Sequence, residues 1–264
     1  MRILFADRPY WWIHLTDHYE SSKTPHLEQF PLTCETGPGS PSGHAMVSAA
    51  VWFIFLIGLE NDLFLKSVPK LGWVTYAVFL TLVAISRLYI AAHFPHQVLL
   101  GVISGILLAL LLRNVAVENC TTIFFISTSV ILILAAFLVS TVIQLTGLDP
   151  HWSFSVAEKY CQRPEWIHLS TTPFATYFRG IGVILSLGLC VLLKSPAVSN
   201  RRFLTNFQKL AVSFVNLVIS KLLFSIPVHT LSLTLFYWSF FALNFLSTLI
   251  YVVIIPRLIA ALFI

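Results

Sequence analysis

Three short stretches of the chain carry residue types suited to handling an oxyanion. Pro41-Ser42-Gly43-His44 closes a polar run, Cys34-Glu35-Thr36-Gly37-Pro38-Gly39-Ser40, and opens directly into an apolar run that begins at Ala45. A helix starting there turns its first free N–H groups toward the loop, where they favour a negative charge. Ser42 adds a hydroxyl, and Gly43 lets the backbone approach a ligand closely. His44 brings the side chain whose unperturbed pKa lies near neutrality, so it can give or take a proton where the anion sits. Taken alone, the same residues would more often make an ordinary helix N-cap with a surface histidine.

The second stretch runs Ser86-Arg87-Leu88-Tyr89-Ile90-Ala91-Ala92-His93-Phe94-Pro95-His96-Gln97 between two apolar runs. An arginine at a helix end, followed by His93 before the break at Pro95, can converge on one pocket. The bland alternative makes Arg87 an interface anchor and His93 and His96 solvated loop residues. The third stretch is Arg8-Pro9. Three imidazoles, those of His44, His93 and His96, also raise the question of a metal. A cation site would want carboxylates or thiolates beside them, whereas Arg8 and Arg87 repel a divalent ion and match an oxyanion bidentately. The pocket is therefore expected to hold phosphate, with no metal and no cofactor.

The elements that must position these residues follow from composition. Of 264 residues, 57% are hydrophobic and 10% charged, and the mean hydropathy is +0.85. That is too apolar for a soluble domain and reads as an all-α, polytopic transmembrane bundle forming one domain over 1–264. The net charge of +5 is modest and its lysines and arginines are scattered near the ends of apolar runs, so no nucleic-acid footprint is expected. Seven spans are expected near 44–60, 71–90, 97–112, 122–146, 176–193, 208–226 and 231–255. Before them, Met1 to Ala6 looks like the last turns of a helix, Pro9 interrupts it, and residues 13–43 form a long loop of functional character. Alternation puts Lys66, Lys70, Arg113, Lys194, Arg201, Arg202, Lys209 and Arg257 on the face opposite His44, which makes that face cytosolic. On this topology the Asn119-Cys120-Thr121 acceptor stays unglycosylated. Of four cysteines, at 34, 120, 161 and 190, only Cys34 and Cys161 are a conceivable disulfide pair.

Arg8-Pro9, Pro41-Ser42-Gly43-His44 and Ser86-Arg87 with His93 together resemble the three-part signature of the type 2 phosphatidic acid phosphatase superfamily. Arg8-Pro9-Tyr10-Trp11-Trp12, the run from Cys34 to His44, His93-Phe94-Pro95-His96-Gln97, Pro164-Glu165-Trp166-Ile167-His168 and Thr171-Thr172-Pro173-Phe174-Ala175 are similar to the glucose-6-phosphatase catalytic subunit family over essentially the whole chain. The resemblance implies a protein of nine spans in the endoplasmic reticulum membrane with a lumenal site. It further implies metal-free hydrolysis of glucose 6-phosphate to glucose and phosphate, and a glucose 6-phosphate transporter as a partner. It makes His93 the nucleophile that forms a phosphohistidine and His44 the acid for the departing sugar oxygen. Arg8 and Arg87, helped by Ser42 and Gly43, then hold the phosphoryl oxygens.

The chain departs from that pattern in particular places. The superfamily lysine seven residues before the Arg-Pro arginine falls on Met1, and the family's first two helices have no counterpart, which leaves about seven spans and the same orientation. The superfamily acid four residues after the nucleophile is Gln97, as the glucose-6-phosphatase branch also has it. Substrate identity stays open between a sugar phosphate, a lipid phosphate and a weakened protein that binds such esters without turnover. Trp11 and Trp12 suit either a sugar or an interface belt, and Glu35, Thr36, His96 or Gln97 could meet sugar hydroxyls.

Overall fold

The computed structural model describes residues 6–19, 24–59, 69–147, 149–194, 204–226, 228 and 232–262. Met1 and Arg2, at the start of the chain, lie outside them. The chain is an all-α polytopic membrane bundle, and among the described residues the only extended pairing is a bridge between Glu35 and His168. The helices are α1 (Pro9–Leu15), α2 (Gly43–Leu59), α3 (Pro69–Tyr89), α4 (Pro95–Leu112), α5 (Thr122–Leu145), α6 (Trp152–Tyr160), α7 (Pro173–Leu192), α8 (Asn206–Leu223), α9 (Leu233–Leu249) and α10 (Ile255–Leu262).

Among the described residues, five helices are long and apolar enough to cross a membrane: α3, α4, α5, α7 and the continuous stretch Leu233–Leu262. Helix α2 is apolar but shorter at 17 residues, about 25 Å at the helical rise. Helix α8 occupies the sixth expected position yet carries Gln208, Lys209, Asn216 and Lys221, and does not meet the same test. The outward faces explain the composition. Leu71, Val74, Val78, Leu82 and Ile85 recur along one side of α3 and are all exposed. An apolar stripe of that length is tolerated where lipid, not water, is the solvent.

The helix end expected at Met1–Ala6 lies, but for Ala6, outside the described residues. Pro9 itself begins a helix: Arg8 is extended, Pro9 stands at the first helical position, and the amides of Trp11 and Trp12 bond back to the Arg8 carbonyl. Proline is favoured there because its missing N–H would have no partner anyway. The last span does not end at 255 but runs on to Leu262 through a π-helical turn, Ile250–Ile254. That wide turn makes room for the ring of Pro256 against the preceding turn.

The described chain forms two compact units, one built from Met1–Val115 with His151–Thr172 and the other from Ala116–Pro150 with Pro173–Ile264. In the second, α7 packs on α5 and α9 through small residues: a Cβ on Gly182 would lie 2.7 Å from the Phe241 carbonyl oxygen. The first contains all of the residues expected to do chemistry, and its central contact is α2 against α4. Gly101 and Gly105 bring these helices together. A Cβ on Gly101 would fall 2.6 Å from the Ser42 carbonyl oxygen, and one on Gly105 would meet the Met46 carbonyl and, at 2.8 Å, the Ala49 Cβ. Gly105→Leu must push α2 away and is expected to lower stability by about 3 kcal/mol or abolish folding. Thermal unfolding in detergent checks this.

Candidate active site

A scaffold of loops fixes the site. Residues 24–42 lie against the segment 151–172, and Cys34 is disulfide-bonded to Cys161. Gln29 donates to the Tyr160 carbonyl and accepts from the Gln162 amide. The His168 amide donates to the Cys34 carbonyl, while Thr36 is buried between the His168 carbonyl and the Thr171 hydroxyl. The bridge ties residues 127 positions apart, so its loss frees a large loop in the unfolded chain. Cys161→Ser is expected to cost about 2–5 kcal/mol, read as a lower unfolding midpoint in detergent, which reductant should reproduce on the parent.

Arg8 is 3% exposed and fully engaged. Its Nε donates to the Gly37 carbonyl at 2.7 Å, Nη2 to Pro38 at 3.3 Å and Nη1 to Ala92 at 3.1 Å. Nη1 also lies 3.3 Å from His93 Nε2 and 2.7 Å from Glu35 Oε2. The Ala92 carbonyl reaches it because the chain leaving α3 turns left-handed at Ala91, φ 53°, which swings it back and aims His93 inward.

His93 is buried, and its partners settle its tautomer. Nδ1 is 2.8 Å from the Gly39 carbonyl oxygen and 3.3 Å from Gln97 Oε1, both acceptors only. Gln97 cannot be flipped, since its Oε1 accepts from the Phe94 amide and its Nε2 donates to the Asp7 carbonyl at 2.7 Å. Nδ1 therefore carries the proton and Nε2 presents its lone pair. Burial pushes the pKa of His93 below its ordinary value; the Glu35 carboxylate opposes this, and the Arg8 charge adds to the downward push. A neutral ring with an unprotonated Nε2 is the form a nucleophile needs.

Ser42 and His44 come from the start of α2. The Ser42 amide donates to the Gln97 carbonyl and its own carbonyl accepts from Met46, so it caps the helix through its main chain. Its hydroxyl, wholly buried, has no hydrogen-bond partner. Beside Gly43 there is open space: a Cβ there would meet nothing within 4 Å. An orphaned hydroxyl next to unencumbered helix N–H groups is a cradle for an anion. His44 is half exposed and sets Nδ1 3.1 Å from Glu35 Oε1, leaving Nε2 free. Arg87, at the end of α3, stands with Nη1 3.7 Å from the same oxygen.

Four of the six expected residues, Arg8, His44, Arg87 and His93, thus lie around one point, Glu35, while Ser42 and Gly43 directly precede His44 in the chain. The Glu35 carboxylate is 5% exposed and touches Arg8 and His93 through one oxygen, His44 and Arg87 through the other. Burial would raise its pKa, but the hydrogen bond from His44, the adjoining His93 ring and the Arg8 charge outweigh burial and hold it far below the usual carboxylate range. From the sequence Glu35 reads only as one of several groups for a sugar hydroxyl. One carboxylate and two imidazoles are also the donor types of a divalent site, yet each carboxylate oxygen faces a guanidinium. Two arginines against one carboxylate leave the pocket cationic, which suits an anion.

Other candidates fall away from a sugar. Trp11 is fully buried, its Nε1 bonded to Asp7 and its ring packed against Tyr10 and Trp152, so it is neither a platform nor an interface anchor. Thr36 and Gln97 spend their polar atoms on the scaffold. Trp12 stacks edge-on to Phe94, on which the exposed His96 also lies.

Comparison with known proteins shows the family to which the chain belongs. Residues 2–120 match the PAP2 superfamily. The chain is 37% identical over 274 residues to "Glucose-6-phosphatase 2" of Mus musculus, an alignment covering 96% of this chain and 75% of that protein. It is 41% identical over 198 residues to "Glucose-6-phosphatase catalytic subunit 1" of Mus musculus, and 40% identical over 200 residues to "Glucose-6-phosphatase 2" of Homo sapiens. Each of those alignments covers 72% of this chain and 56% of the relative, so the chain spans little more than half the length of these two. No solved structure matches.

Proposed function

Since the chain belongs to the glucose-6-phosphatase family within the PAP2 superfamily, we propose that it hydrolyses glucose 6-phosphate to glucose and inorganic phosphate through a phosphohistidine. The observation that carries this reading is the buried, neutral His93, whose Nε2 lone pair lies 3.3 Å from Arg8 and 3.5 Å from the Glu35 carboxylate on which Arg87 and His44 also converge. In the first step Nε2 attacks phosphorus, an N–P bond forms and the bond from phosphorus to the sugar oxygen breaks. His44 gives that oxygen a proton, so glucose leaves as the alcohol. Water then attacks the phosphohistidine, His44 takes the water's proton, and phosphate departs with His93 restored. Arg8 and Arg87 neutralise charge on the equatorial oxygens, helped by the Ser42 hydroxyl and the Gly43 amide. The chemistry runs on positioning and fixed positive charge, so no metal is required.

Localisation in the endoplasmic reticulum membrane, with the site toward the lumen, completes the proposal and places the activity in glucose production. Supporting it, the Cys34–Cys161 disulfide lies in the scaffold of the site, and such bonds persist in oxidising compartments. A lumenal site needs its charged substrate delivered across the membrane, which makes a glucose 6-phosphate transporter the natural partner.

Microsomes expressing the chain should release phosphate from glucose 6-phosphate at least about tenfold faster than from a lipid phosphate, one pocket-specific contact being worth that much. Vanadate, which mimics the five-coordinate transition state, should inhibit at concentrations well below phosphate, and chelators should have no effect. Faster turnover of the lipid would overturn the substrate assignment. Activity lost to a chelator and restored by a divalent cation would overturn the metal-free mechanism.

A further inference from the structure

Glu35 stands where the reaction needs something else. Its Oε2 is 3.5 Å from His93 Nε2, about the separation at which a reacting phosphorus should sit from its nucleophile. Of the groups assigned to the phosphoryl oxygens, the attack and the leaving oxygen, the four charged or titratable side chains each contact this one carboxylate, two to each of its oxygens. With Nε2 unprotonated, His93 makes no hydrogen bond to it. Arg8 Nη1 holds the two together by donating toward both.

We infer that Glu35 is a built-in stand-in for the phosphoryl group, and that a phosphate ester enters by displacing its carboxylate from Arg8 and His93. The inference rests on the phosphatase reading of the site. The displacement is a side-chain rotation, because the backbone of residue 35 is pinned on every side. The Glu35 amide donates to Thr33, its carbonyl accepts from the buried Tyr10 hydroxyl at 3.0 Å, it bridges to His168, and its neighbour Cys34 is held by the disulfide. Turning about the side-chain bonds can release Oε2 from the Arg8 side. A plug of this kind keeps two arginines and a nucleophile arranged while no substrate is bound, and it weakens binding of every anion by the fraction of time the pocket is open.

The test uses orthovanadate and inorganic phosphate on the full chain in detergent, so it involves no sugar. Glu35→Gln and Glu35→Ala should each bind vanadate about 10 to 100-fold more tightly than the parent, the range expected if the carboxylate fills the site 90 to 99% of the time. Equal or weaker binding by variants that retain the Cys34–Cys161 bond would overturn the inference and leave Glu35 as a partner that merely holds the arginines in place. A second measurement needs no variant: vanadate binding to the parent should shift a carboxylate stretching band in the infrared difference spectrum, and an unchanged carboxylate region would overturn it equally. Should the parent fail to hydrolyse glucose 6-phosphate while Glu35→Gln tightens vanadate binding, the substrate assignment falls and the plug stands.

Discussion

His93→Ala should lower turnover of glucose 6-phosphate by on the order of 10⁴-fold or more and leave no covalent phosphoenzyme, because the variant has no atom at the position of Nε2. His44→Ala should behave differently. An acid matters in proportion to the basicity of the oxygen that departs. With glucose 6-phosphate, whose leaving group is an alkoxide, loss of His44 should cost about 10² to 10⁴-fold. With p-nitrophenyl phosphate, whose leaving group needs little help, the loss should be much smaller and phosphoenzyme should still accumulate. Rapid quench into alkali, where phosphohistidine survives, measures both. If the two variants lose activity equally on both substrates, the division of roles is wrong.

The second large effect concerns Arg8. Arg8→Ala removes donors from three carbonyls and from His93, and strands the Glu35 carboxylate in a buried pocket. Breaking a buried pair from one side costs about 3–5 kcal/mol, so the variant should unfold far below the parent temperature in detergent. The double change Arg8→Ala with Glu35→Gln should regain part of that loss, since the stranded charge is then gone. Arg8→Lys restores a charge but not the fork that spans Gly37, Pro38 and Ala92. It should recover some stability and little vanadate affinity. An Arg8→Ala protein within about 1 kcal/mol of the parent would mean that the ion pair to Glu35 is not the one holding the pocket together.

How far the sequence could be read depends on how local the signal was. The helix α3, Pro69–Tyr89, was expected at 71–90 because a long apolar run bounded by polar residues has one physical outcome in a bilayer. His44, His93, Arg8 and Arg87 were legible because each sits at a helix boundary in a short motif. Glu35 was not. It lies in a loop with no periodicity, and it turns inward only because Cys34 is tied to Cys161 and Thr36 to Thr171, more than a hundred residues away. Trp11 misled for the same reason: its burial comes from α6, a nine-residue helix too short to leave an apolar signature. Pro9 was read only as a breaker, and its role as a first helical residue was missed. The glycines of α4 were visible, but their use in seating α2 beside Gln97 depends on a partner helix that spacing alone does not name.

Location of the phosphoryl group on the unaltered chain tests the central claim most directly. The protein in membranes would be mixed with glucose 6-phosphate carrying labelled phosphorus, quenched into alkali during turnover, digested, and the label assigned to a residue and an atom. The geometry predicts phosphate on Nε2 of His93, since Nδ1 is held by the Gly39 carbonyl and Gln97. Label on His44, label on Nδ1 of His93, or continued release of phosphate with no labelled residue would contradict it.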